Sequence, residues 1–497
     1  MSPDKMGRGV PVTGIGGFDG WRSRLALAFA LAAAQAALWL NPGYFSHDEL
    51  QWGARAAVEH WRDLPFESFS DWRSFQFRPL TFNLWLLLSH ALFDTPRLFH
   101  AIFVALGTLN ALLLARVLRG AGCRNGVASG AALAFGLSPF AAWVHGWVGC
   151  LADLLWVGLG LGIVATLQRL DATAVVGDED TDRRGGRFSW LIAAVTAALA
   201  TALALLSKEA ALSIPALLGL GALVLRLRRT WLAAALASAA VALAYLALRL
   251  TVLTAAPHDS TYDPAWAAVP RGWAMYQLFP WALGVSEVHV LALASPQRLA
   301  LYALLFAAFA IALWRASPRL WLVWLAGGAL ALAPALALPV PANQYGYGFA
   351  ALGCGAAALA WVRLRRDGRI TLALLAILAL VHGAQIQKHM LETGRLQAVF
   401  SPSLADAARA QPEGDIRLWP DAPKQGFAYA RLSHDIPAYR GVPLGPRVQM
   451  ARNRDEATHR ITAAGRVQAM GEPQCPRPGA IHCCTSPAWA GARICRP

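Results

Sequence analysis

Runs of apolar residues recur along most of the chain, separated by short polar or basic breaks. Residues 98–115 carry no formal charge, and neither do residues 231–248. Each run is close to the ~20 apolar residues that a helix needs to cross roughly 30 Å of hydrocarbon. One such run fits the core of a soluble domain; a long series of them does not. The pattern predicts about eleven transmembrane helices, at residues 25–40, 98–118, 127–144, 148–167, 190–206, 210–225, 231–250, 299–314, 320–338, 345–361 and 370–386. Two further stretches, 79–93 and 273–294, are respectively short and half-apolar, the second interrupted by Pro280 and Glu287. Both read as helices lying in the outer interface. The expected fold is therefore an all-α polytopic membrane protein.

Composition agrees with that pattern. Only 15% of the 497 residues are charged and 56% are hydrophobic, against about 25% charged in soluble domains. The net charge of +15 comes mainly from arginines at span ends, such as Arg116, Arg119 and Arg124, or Arg363, Arg365, Arg366 and Arg369. Such clusters orient spans with the basic ends toward the cytoplasm, so the positive charge does not argue for a nucleic-acid partner. Residues 1–21 form a cytoplasmic N-terminal segment. Its basic start, with Lys5, Arg8, Arg22 and Arg24, resembles a secretory signal, but the many spans that follow favour an uncleaved first helix. Residues 22–387 make the membrane module, with outer loops at 41–97 and 251–298. A crossing at 79–93 would place Arg116, Arg119 and Arg124 outside.

Beyond residue 387 the apolar runs stop. Residues 388–497 read as a small extracytoplasmic soluble domain, in a bacterial inner-membrane setting. Four of the seven cysteines lie there, at Cys475, Cys483, Cys484 and Cys495. Disulfides persist outside the cytosol, which fits an outside C-terminus; the three possible pairings stay open.

Candidate chemistry gathers at predicted outer boundaries. The first outer loop opens with His47-Asp48-Glu49 and closes with Phe77-Arg78-Pro79-Leu80. A carboxylate pair, a guanidinium and interfacial aromatics at one depth suit a lipid-borne anionic substrate, because the planar Arg fork matches phosphate. Asp153 starts a predicted span, where it caps the helix or binds substrate. Lys208 and Glu209 sit between two spans, as a boundary ion pair or as substrate ligands. Tyr345 lies at the outer end of a late span.

The order of these motifs resembles the GT-C superfamily of membrane glycosyltransferases, especially its protein O-mannosyltransferase and aminoarabinose-transferase branches. The resemblance rests on Asp48-Glu49, Arg78-Pro79-Leu80, Leu151-Ala152-Asp153-Leu154-Leu155 and Ser207-Lys208-Glu209 with Pro215 downstream, and covers roughly residues 21–362. The chain departs from the family pattern at Trp143, at Leu151 and at Asn343-Gln344-Tyr345, and its tail shows no tetratricopeptide repeat.

The resemblance implies a polyprenyl-phosphate-linked sugar as donor and transfer to a glycan, lipid or protein hydroxyl at the outer face. Asp48 would act as general base and Glu49 would support it. Arg78 and Lys208 would meet the lipid phosphate, with Asp153, His47, Glu209 and Tyr345 also contacting substrate. No cofactor and no obligatory metal is expected, since His47, Asp48 and Glu49 are consecutive and converge poorly on one ion. A transporter or flippase of hydrophobic substrates, and a non-catalytic assembly protein of envelope polysaccharide, are the competing expectations.

Overall fold

The computed structural model describes residues 17–70, 73–74, 76–176, 179–226, 228–253 and 264–471. The four tail cysteines, and residues 254–263 of the second predicted outer loop, lie outside them. The chain divides into two compact units, Met1–Arg395 and Leu396–Pro497.

The first unit is helical. It begins with α1 (Gly17–Ala34), α2 (Ala36–Trp39), α3 (His47–Val58) and α4 (Pro79–Leu92). Then follow α5 (Pro96–Gly120), α6 (Asn125–Gly136), α7 (Pro139–Gly146) and α8 (Leu151–Val176). The series continues through α9 (Glu179–Leu205), α10 (Ser213–Val224), α11 (Arg229–Leu253) and α12 (Val269–Leu278), and closes with α13 (Pro296–Ala316), α14 (Pro318–Leu336), α15 (Gly346–Arg363) and α16 (Arg366–Ala410).

Proline sets many of the starts: Pro79, Pro96, Pro139, Pro296 and Pro318 each open a helix, where the missing N–H costs nothing and φ is preset. The end of α5 is set by Gly122, at φ 88°. There the Cys123 N–H reaches back to the Leu118 carbonyl at 3.0 Å, the pairing that terminates helices through a left-handed residue.

Among the described residues, eight helices are long and apolar enough to cross a membrane, and nine if the bent pair α6–α7 is one span. The chain is a multi-pass membrane protein by that measure. The difference from about eleven has local causes. The run at 25–40 breaks at Gln35, which separates α1 from α2, and α1 carries Asp19, Arg22 and Arg24 among its 18 residues. The run at 210–225 opens as the 3-10 turn Glu209–Leu212, leaving only 12 residues to α10. The run at 127–144 bends by 59°, because Pro139 disfavours helix at Ser138; Ser138 then caps α7 by accepting from the Ala141 N–H at 3.2 Å. The stretch at 273–294 is not one helix: it divides into α12, a turn at Phe279–Trp281 and a turn at Val288–Leu293.

Polar side chains join the apolar helices. Thr201 donates to Ser238 at 2.9 Å between α9 and α11. Asp171 accepts from Thr230 at 2.6 Å, Arg228 at 3.0 Å and Trp231 at 3.1 Å. Thr201 and Ser238 are fully buried among apolar helices, where with no water to bond they settle on each other.

The second unit contains strands. After the end of α16 come β1 (Ile416–Pro420), α17 (Gly426–Ser433), the short antiparallel pair β2 (Ala438–Tyr439) and β3 (Val442–Pro443), β4 (Val448–Met450), β5 (His459–Ile461) and β6 (Val467–Ala469). The main sheet runs β4-β1-β5-β6. β1 pairs in parallel with β4 and β5, and β6 returns antiparallel to β5. Ile416 and Leu418 alternate inward along β1, and Tyr429 and Leu432 of α17 are buried with them.

Candidate functional site

Glu49 organises the start of α3. Ser46 takes an extended conformation before the helix, and Glu49, at the third helical position, reaches back to the N–H groups of Ser46 at 2.8 Å and Phe45 at 2.5 Å. This is the acidic half of a capping box. Its other oxygen accepts from the Val148 N–H at 3.1 Å, in the turn Val148–Cys150 that leads into α8. Glu49 therefore ties the first predicted outer loop to the α8 start, and it is 1% exposed. Burial pushes its carboxyl up to about 8, with help from the neighbouring Asp48 charge; the three backbone donors pull it down.

Asp48 differs from its neighbour. Its side chain is 36% exposed and lies 3.1 Å from Nε2 of His47. One acid of the pair is locked into backbone, and the other stands open.

Asp153 sits in the first turn of α8, where a carboxylate suits the helix dipole. Both of its oxygens accept from Nζ of Lys208, at 2.7 and 2.6 Å, and the pair is nearly without solvent exposure. Lys208 also lies over the Tyr345 ring, 4.7 Å from its centre. The adjacent residue, Glu209, accepts from Nε of Arg78 at 2.8 Å, while its second oxygen, Oε1, is buried without a hydrogen-bond partner. Backbone contacts hold the two motifs together: Leu80 N–H donates to the Leu206 carbonyl at 3.1 Å, and Thr81 donates to the Ser207 carbonyl at 2.9 Å.

These groups converge. Asp48, Glu49, Asp153 and Lys208 all lie within electrostatic range of the Cys150 thiol. Arg78 and Glu209 both lie within electrostatic range of the Tyr245 hydroxyl. All eight residues expected from the sequence thus fall along one connected region. The two cations are already compensated by carboxylates, so neither is a lone positive charge. Among the described residues, no three His, Cys, Asp or Glu side chains are placed to hold a metal ion.

The sequence places His145 and Tyr347 on the outer side, but not the polar network beside the site that joins them. His145 bonds Gln35 at 2.6 Å and the Tyr347 hydroxyl at 3.1 Å. Asn110 donates to that same hydroxyl at 3.3 Å and to the Leu154 carbonyl at 2.9 Å, next to Asp153. The signal was present only as isolated polar residues within apolar runs. Asn343, in the segment that departs from the GT-C pattern, closes a loop instead: it accepts from Val288 N–H at 2.7 Å and donates to the Ser286 carbonyl at 2.8 Å. Compared with known protein families and with curated proteins, the chain matches none.

Proposed function

We propose that the chain is a membrane glycosyltransferase that moves a sugar from a polyprenyl-phosphate donor to an acceptor hydroxyl at the extracytoplasmic face, in the manner of the GT-C enzymes it resembles. The observation that carries this reading is the unequal acid pair: Asp48 is open while Glu49 is locked, and both, like the Asp153–Lys208 ion pair, lie within electrostatic range of Cys150. Adjacent carboxylates in contrasting environments are how one site separates a reacting group from a supporting one.

In this mechanism Asp48 takes the proton of the acceptor hydroxyl as its oxygen attacks the anomeric carbon. The bond from that carbon to the phosphate oxygen breaks on the opposite side, so the anomeric centre inverts and polyprenyl phosphate departs. Positioned proton transfer contributes about 10²–10⁴-fold. Glu49 does not touch the proton: it fixes the α3 N-terminus, and so Asp48, against the α8 start. Arg78 and Lys208 face the departing phosphate as members of ion pairs, which preorganises them and limits the net charge they present. Glu209 Oε1, buried and unpartnered, is suited to accept from a sugar hydroxyl. The arginine distribution supports a cytoplasmic N-terminus and an extracytoplasmic tail domain, and the reading puts the chain in a bacterial inner membrane.

The bent α6–α7 pair favours a second reading, a transporter of lipid-linked or other hydrophobic substrates, since transporters place sites at broken helices. The ionisable groups gather instead where α3, α8 and the Glu209–Leu212 turn begin, away from that bend. Purified protein incubated with polyprenyl-phosphate sugars and candidate acceptors separates the two. A product of inverted anomeric configuration is expected. Flux of intact donor across vesicles without any product would replace the transferase with the transporter.

A further inference from the structure

The segment that joins α3 to α4 carries more apolar side chains than its own core uses. It folds as short turns and ends in a 3-10 turn, Glu67–Phe69. Leu64 fills its inside, fully buried with Ala56 and Leu86 and packed against Trp52 and Leu87. Arg55 of α3 pairs with Glu67, and the Ser68 N–H donates to Oδ1 of Asn83 on α4 at 2.9 Å. A small core, an ion pair and a hydrogen bond thus hold the segment to both helices.

Four large apolar side chains are left outside that core. Val58 is 81% exposed, Phe66 70%, Trp61 56% and Phe69 46%. The Phe69 N–H donates to the Phe66 carbonyl at 3.0 Å, and residues three apart in a 3-10 turn eclipse one another, so these two rings share a side. The Arg62 guanidinium lies 5.4 Å from the centre of the Trp61 ring. An amphipathic pair of this kind sets an apolar body in lipid and keeps its charge in water.

Where the segment is anchored decides what meets those side chains. Through Glu49 and the Val148 N–H, α3 is tied to the start of α8. Through the Leu80 N–H and the Leu206 carbonyl, α4 is tied to the end of α9. Beyond α4 the chain enters α5, and there Tyr44 donates to the Phe93 carbonyl at 2.6 Å. All three of α5, α8 and α9 supply spans long and apolar enough to cross a membrane. The start of α5, the start of α8 and the end of α9 therefore mark one boundary of the bilayer, the depth at which aromatic rings are enriched. A protein partner is the poorer match, because four side chains fall far short of the roughly 20–30 residues per side of a stable interface.

We propose that residues 58–69 seat Val58, Trp61, Phe66 and Phe69 in the boundary between lipid headgroups and acyl chains. The occupant is the bilayer surface, and α3 and α4 rest on it as well as on the span ends. This inference stands independently of the transferase reading, since it concerns lipid contact alone.

Photocrosslinking of the full-length chain in phosphatidylcholine liposomes tests it. One variant carries p-benzoylphenylalanine in place of Phe66, and a second carries it in place of Leu304. Leu304, 67% exposed on α13, is the reference for a side chain facing lipid from a span. Phe66 stands outside the Leu64 core, so its replacement leaves the fold intact. After irradiation, mass spectrometry should find phosphatidylcholine joined at position 66 with at least about a third of the yield at position 304, because an interfacial side chain reaches the acyl boundary but no deeper. A lower yield, or adducts to protein in place of lipid, would overturn the proposal.

Discussion

The cluster around Cys150 and the cavity around Phe309 handle buried polarity in contrary ways. In the first, Glu49 accepts three backbone N–H groups and Lys208 meets two carboxylate oxygens. In the second, Gln277, Trp281 and Trp324 meet nothing. An unmade buried hydrogen bond costs more than a made one contributes. The first region is built on charged pairs, although Glu209 Oε1, the Tyr245 hydroxyl and the Trp143 and Trp147 indoles are unpaired there too. The second, between α6, α13, α14, α15 and α16, has a single charged residue, Arg124, in its lining. Preorganised charge suits chemistry.

The largest break in that contrast comes from Lys208→Met. Removing one partner strands Asp153 without its counter-charge, and stability measured by thermal unfolding in detergent should fall by about 3–5 kcal/mol. Adding Asp153→Leu should restore most of the loss, because a buried pair replaced by apolar residues is nearly neutral. A double variant as unstable as the single one would mean that the ion pair is not what holds this region.

A smaller loss is expected from Glu49→Gln. The amide keeps one acceptor oxygen but turns an NH₂ toward one of the three N–H donors, leaving a buried group unsatisfied at about 1–3 kcal/mol. The same variant tests the ionisation. With a carboxyl raised from 4.5 to about 8, the folded chain binds more protons than the unfolded chain between those values. Glu49 therefore contributes stability that is complete below about pH 4.5 and is lost as pH climbs through about 8. Unfolding followed across that window should show a downward slope in the native chain that flattens in Glu49→Gln. An identical slope in both would assign the titration elsewhere.

The smallest effect belongs to the cavity. Trp281→Phe keeps a ring and deletes an N–H that has no partner, so stability should change by less than about 0.5 kcal/mol. A loss above about 1 kcal/mol would reveal a bond to that indole and weaken the contrast.

Much of this was legible in the sequence, and the reasons for the rest are specific. Apolar runs located most helices because a bilayer imposes length and composition, and the start expected at Pro79 is the one the structure keeps. The span count was not legible, because Gln35, Pro139 and the Glu209–Leu212 turn break runs whose hydropathy stays high. Crossing points are similarly silent: a Cβ on Gly383 of α16 would overlap the Leu137 carbonyl at the α6–α7 bend, a requirement that links residues far apart in the chain. Strands of two to five residues in the second unit leave too short an alternation to read. At the site, the residue types were visible, but their pairings were not. Asp153 with Lys208 is a contact between α8 and the end of α9 that no local pattern encodes.

The central claim is that the open member of the acid pair does the chemistry while the locked member holds it in place. Sugar transfer by Asp48→Asn, measured beside its own thermal unfolding, tests this most directly. Turnover should fall about 10²–10⁴-fold with stability unchanged, since Asp48 is exposed and its replacement strands no buried group. Turnover near that of the native chain would remove Asp48 from the reaction and leave the unequal acid pair without a catalytic role.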